Sequence, residues 1–129
     1  MFTIRTIGGC PVANDICQGP VGPNARGEIV ITGAYTGNVA NFWTTLQMGE
    51  TMHRGICGVA QHKPNNPSSV PEMHELEFYA PRQGTKYPPY HGPATLKVYL
   101  DPDSEIQFLE EKKGKTPAVV IQIDEVVVE

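Results

Sequence analysis

Four histidines, His53, His62, His74 and His91, all fall between residues 53 and 91. Imidazole nitrogen and thiolate sulfur are the usual protein ligands of zinc. His53 and Cys57 have an H-x3-C spacing, and His62 lies five residues beyond Cys57. With His74 or a water as the fourth ligand, His53, Cys57, His62 and His74 form the candidate set for zinc or another transition metal. No C-x2-C pair and no H-E-x-x-H run accompanies them. On a strand, His53 and Cys57 would stand about 13 Å apart, too far to share one ion. A tight turn at Arg54-Gly55 would be needed. The expectation is no metal and no cofactor, with zinc as the weaker alternative.

Two further constellations bear on catalysis. His74 adjoins Glu75 and Glu77, and an imidazole beside a carboxylate can move protons. A strand would point His74 away from both carboxylates. Glu75 and Glu77 would then share one face, as the residues of an ordinary solvated strand do. No G-x-S-x-G nucleophile turn is present, and no G-x4-G-K-[ST] or G-x-G-x-x-G phosphate cradle. Ser68 and Ser69 lie in a proline-rich stretch at 63–71.

The aromatic residues point to binding instead. Tyr79, Tyr87, Tyr90 and His91 lie in or beside a segment rich in proline and glycine. Tyrosine supplies rigid apolar area and one hydroxyl at low entropic cost. Pro88 and Pro89 pre-order the chain and lower what binding must spend on ordering it. Trp43 is the only tryptophan. Its ordinary role is a core anchor, and its functional role would be a stacking surface. The candidate ligand-binding set is Tyr79, Tyr87, Tyr90, His91 and Trp43.

These residues need elements to hold them. Residues 2–7 alternate as a strand, and 8–27 read as a long glycine- and proline-rich loop. Residues 28–35 form a second strand. Val39, Phe42, Trp43 and Leu46 recur at i, i+3, i+4 and i+7, which predicts an amphipathic helix near residues 37–48. Thr36 or Asn38 would cap it, and Gly49 would end it. A short strand follows at 56–60, and another at 74–80 sets His74, Leu76 and Phe78 against Glu75, Glu77 and Tyr79. Residues 81–93 are a second long loop. Residues 94–100 turn at 101–104 and return at 105–110 as a hairpin. The last strand, 118–128, has a phase problem, because Val126 and Val128 fall on the opposite parity to Ile121 and Ile123. Either a bulge at Asp124-Glu125 restores one face, or the valines meet another subunit. The second option makes the chain a homo-oligomer, and a homo-oligomer is the expected state.

Composition agrees with a sheet. Twelve valines and nine isoleucines stand against five leucines, and β-branched side chains suit a pleated surface. The 129 residues amount to a single domain, 1–129. The net charge is −4, with no basic stripe, which argues against nucleic acid and anionic membrane as partners. No apolar run reaches the length of a membrane-spanning helix. The N-terminus lacks a secretory pattern, so the expected compartment is cytoplasmic. Three cysteines, Cys10, Cys17 and Cys57, are too odd a number for a disulfide framework. Cys10 and Cys17 could close a small loop in an oxidising environment, and reduced, buried thiols are the ordinary expectation.

The fold class expected is mainly β, bordering on α+β. It is a small antiparallel β-barrel or sandwich of six to seven strands with one helix. The function expected is non-catalytic binding of a small molecule or a protein partner through the long loops. The alternative is a small metal- or histidine-dependent enzyme with its site inside the barrel.

Overall fold

The computed structural model describes residues 2–36, 41–59, 73–80, 86–101 and 116–129. The described chain is mainly β. Its strands are β1 (Phe2–Ile7), β2 (Cys10–Pro11), β3 (Ile16–Cys17), β4 (Ile29–Thr36), β5 (Asn41–Met48), β6 (Thr51–Val59), β7 (Met73–Ala80), β8 (Tyr90–Asp101) and β9 (Val119–Val128). They form two sheets. The first has the order β2-β1-β4-β7, and the second β3-β9-β8-β5-β6. Pairing is antiparallel except for β3 on β9, which is parallel. Among the described residues the strand order is that of two sheets, and no closed barrel is formed.

One apolar cluster draws on both sheets. Ile4, Ile7, Ile29, Ile31 and Phe78 come from the first sheet, and Leu46, Leu96, Val98, Ile121 and Ile123 are among those from the second. The β-branched bias of the sequence is thus spent on inward-facing strand positions, where such side chains pack well. Gly33 lets β1 and β4 approach, since a Cβ there would collide with the Thr3 carbonyl. No helix among the described residues is long and apolar enough to cross a membrane.

The helix expected near residues 37–48 is not formed over 41–48, which are β5; residues 37–40 lie outside the described residues. The i, i+3, i+4, i+7 stripe competed with a period of two. Thr44, Leu46 and Met48 all lie buried at alternate positions. Tertiary pairing decides between the two periods, because β5 ladders with β6 on one side and β8 on the other. Gly49 serves the tight β5–β6 turn, with φ of +61°, rather than a helix end. Thr45 is buried as well as Thr44, so the centre of β5 is covered on both faces.

The segment 8–27 is less irregular than a single loop. Its two short strands, β2 and β3, end one sheet and begin the other. Among the described residues there are nine strands, against the six or seven expected, and β2 and β3 have only two residues each. Strand β6 is longer than the 56–60 reading. The return strand at 105–110 lies outside the described residues, and the antiparallel neighbours of β8 are β5 and β9.

The phase problem of the last strand is resolved by a bulge. Gly92 pairs with Val126 and Ala94 with Ile123, so Asp124 and Glu125 stand opposite Pro93 alone. Val126 is 0% exposed and Val128 8%. Both valines belong to the chain's own core, and the parity that pointed to a subunit contact is accounted for within one chain.

Candidate functional site

The candidate binding residues divide among different environments. Tyr87 precedes β8 and belongs to the core cluster. Its ring meets that of His53 edge-on, with centroids 4.8 Å apart at an interplanar angle of 73°. His53 reaches this place because β6 ladders with β5. Its register partner is Leu46, a core residue. The Nε2 atom of His53 is shielded from solvent and has no hydrogen-bond partner among the described residues. Burial lowers the His53 pKa below its ordinary 6.5, because desolvation disfavours the imidazolium. A neutral imidazole and a phenol therefore sit together at the inner side of the second sheet's β6.

Tyr90 and His91 begin β8. Tyr90 is half-buried and donates its hydroxyl hydrogen to the carbonyl of Pro93. Its ring lies over two glycines. A Cβ at Gly49 would stand 3.3 Å from Tyr90 Cε1, and one at Gly92 would stand 3.0 Å from the Tyr90 hydroxyl. The ring is folded back onto its own strand and the β5–β6 turn. His91 is exposed, with Nε2 at 3.5 Å from Glu125 Oε2 on the bulge of β9.

The alternation of burial along 86–93 follows from these anchors. Tyr87 is buried and Tyr90 half-buried, whereas Lys86, Pro88, Pro89, His91 and Pro93 are exposed. The tyrosines hold the segment down, and the prolines and His91 face outward. The sequence pattern offers the tyrosines as contacts and does not show His53 as the neighbour of Tyr87. A strand reading of 41–48 would have found it, because the two-residue turn after Met48 sets His53 opposite Leu46.

Tyr79 lies elsewhere, on the outer face of the first sheet, 41% exposed. It donates its hydroxyl hydrogen to Glu77 Oε1 at 2.7 Å. That hydrogen bond, and then the carboxylate's charge, raise the Tyr79 pKa. On the same sheet Arg5 Nη1 meets Glu75 Oε1 at 2.8 Å, and the Thr6 and Thr32 hydroxyls share a hydrogen bond of 2.5 Å. The alternation expected for β7 is seen in buried Phe78 against exposed Glu75, Glu77 and Tyr79. These pairs lie on a solvent-facing surface, where water and salt screen such interactions. Trp43 is placed by its backbone, paired with Tyr99 on β8 and Ile56 on β6.

The metal-ligand candidates are spread out. His53 and Cys57 are four residues apart on the continuous strand β6, a span of about 13 Å. The turn at Arg54-Gly55 that would bring them together is not formed, since both residues pair with β5. His74 lies on β7 of the other sheet, its backbone opposite Tyr35. His62 lies outside the described residues. Among the described residues, no three histidine, cysteine, aspartate or glutamate side chains gather as a metal-holding group. Comparison of the chain with protein-family models, with curated proteins and with solved structures gives no match.

Proposed function

We propose that this chain is a non-catalytic binding module. Its two sheets pack as a β-sandwich, and its contact surface is the 86–93 segment. One observation carries the reading, namely the alternation of anchored tyrosines with outward prolines. Tyr87 and Tyr90 fix the segment from below, and proline fixes its own φ. A contact surface held rigid before binding loses little entropy when it binds. The exposed residues are apolar and ring-shaped, with Lys86 and His91 as polar ends. That suits a protein partner or a small apolar molecule, met in the cytoplasm.

A fragment library screened by two-dimensional NMR on the full chain tests this. Shift changes are expected to cluster on 86–93. His91→Ala should weaken the best fragment about tenfold, the loss of one good contact. Fragments that ignore this segment would sink the reading.

A second reading is a histidine-dependent enzyme working between the sheets. It is favoured by the neutral, shielded Nε2 of His53 beside Tyr87. Fragments clustering on His53 in the same screen would favour it.

A further inference from the structure

The 8–27 segment brings together two thiols that neither reading of the function uses. Strand β2 is an edge of the first sheet, and β3 is an edge of the second. Four residues join them, and Ala13 and Ile16 exchange reciprocal backbone hydrogen bonds of 3.0 Å. Cys10 begins β2 and Cys17 ends β3. Cys17 is buried in the shared core, and half-buried Cys10 packs against that core. Cys17 Sγ donates to the Cys10 carbonyl at 3.9 Å, and Cys10 Sγ donates to the Pro20 carbonyl at 3.4 Å. Both thiols are free.

We propose that Cys10 and Cys17 are an oxidisable dithiol whose disulfide ties the edge of one sheet to the edge of the other. The Cys17 thiol lies against residue 10 itself, its Sγ 3.9 Å from the Cys10 carbonyl. Burial, and then the charge of Cys10, push the Cys17 thiol above its ordinary pKa. Cys17 is buried, so the more exposed Cys10 is the thiol that a small oxidant reaches first. The oxidant is a small-molecule disulfide. The Cys10 thiolate attacks one of its sulfurs and expels one small thiolate, leaving a mixed disulfide on Cys10. Cys17 then gives up its proton, attacks Cys10 Sγ and expels the second small thiolate. The protein loses two hydrogens, as two electrons and two protons. The small disulfide gains them as two thiols. The bond closes a loop of eight residues and restricts the unfolded chain.

The full chain is incubated, folded, with oxidised glutathione and followed by intact mass and peptide mapping. The expected result is the loss of two hydrogens and a single cross-linked product joining Cys10 to Cys17. The melting temperature should rise by about 5–10 °C and return on adding dithiothreitol. Cys57→Ser should behave like the parent. Cys10→Ser, at a half-buried position, should fold by circular dichroism yet form no cross-link. Cys17→Ala should likewise form none, whatever its stability. A lasting glutathione adduct on Cys10, a link to Cys57, or closure only in denaturant would each overturn the proposal.

Discussion

Tyr87 and Tyr79 each stand beside one titratable side chain, His53 and Glu77 respectively, yet on opposite faces of their sheets. Tyr87 lies inside, 8% exposed, and its neighbour is held neutral by burial. Tyr79 lies outside, 41% exposed, and its neighbour is a solvated carboxylate. The same residue type is a structural anchor in one place and, in the other, a solvent-facing ring bonded to its neighbour's carboxylate. Face decides the difference, and residue type does not. Strand β9 makes the same distinction within ten residues, with Val126 buried by the bulge and Val120 37% exposed.

The largest test of this contrast is on β9. Val126→Glu puts a carboxylate into the shared core and should cost at least about 4 kcal/mol in denaturant unfolding. Val120→Glu, on the outer face of the same strand, should stay within about 0.5 kcal/mol. A stable, folded Val126→Glu variant that had merely lost an oligomeric state would break the inside assignment.

The tyrosine pair gives a smaller effect. Tyr87→Ala should lose roughly 3 kcal/mol, as large-to-small core changes do. Tyr79→Ala, at a solvent-facing position, should leave the unfolding midpoint nearly unchanged. Equal losses at the two positions would contradict the difference in burial.

The smallest effect is in pH. The folded pKa of His53 lies below its unfolded value of 6.5. The unfolded chain therefore binds the extra proton first as pH falls. Stability from neutral His53 is fully present above about pH 6.5, and declines below it until the folded pKa is reached. His53→Gln should flatten that part of the stability-against-pH curve. A slope unchanged by the substitution would assign the acid sensitivity to other groups.

Much of the strand framework was legible in the chain. Residues 2–7, 74–80 and 118–128 alternate clearly, and their strands lie within a residue or two of the expected bounds. The phase change at Asp124-Glu125 was legible too, but a bulge and a subunit contact both satisfied it, and the pairing of β9 with β8 chose the bulge. Residues 41–48 were not, since Phe42, Trp43 and Leu46 fit a helical stripe while Thr44, Leu46 and Met48 fit a strand. Local spacing alone cannot rank those two periods, and the partners that do so, β6 and β8, include residues more than forty positions away. The site suffered from the same ambiguity. Losing the strand at 41–48 meant losing the turn at Gly49, and with it the position of His53 against Tyr87.

The sequence by itself determined that the chain is mainly β, that its core is built on valine and isoleucine, and that its last strand changes phase between Ile123 and Val126. Each of these rests on side-chain propensity or parity within a short run. Tertiary structure alone decided which tyrosine is an anchor, which histidine has its Nε2 shielded from solvent, and that the Cys17 thiol lies against residue 10 at the edges of the two sheets. Those outcomes depend on pairing between distant strands, and a sheet's hydrogen bonds carry no local record of the partner they will find.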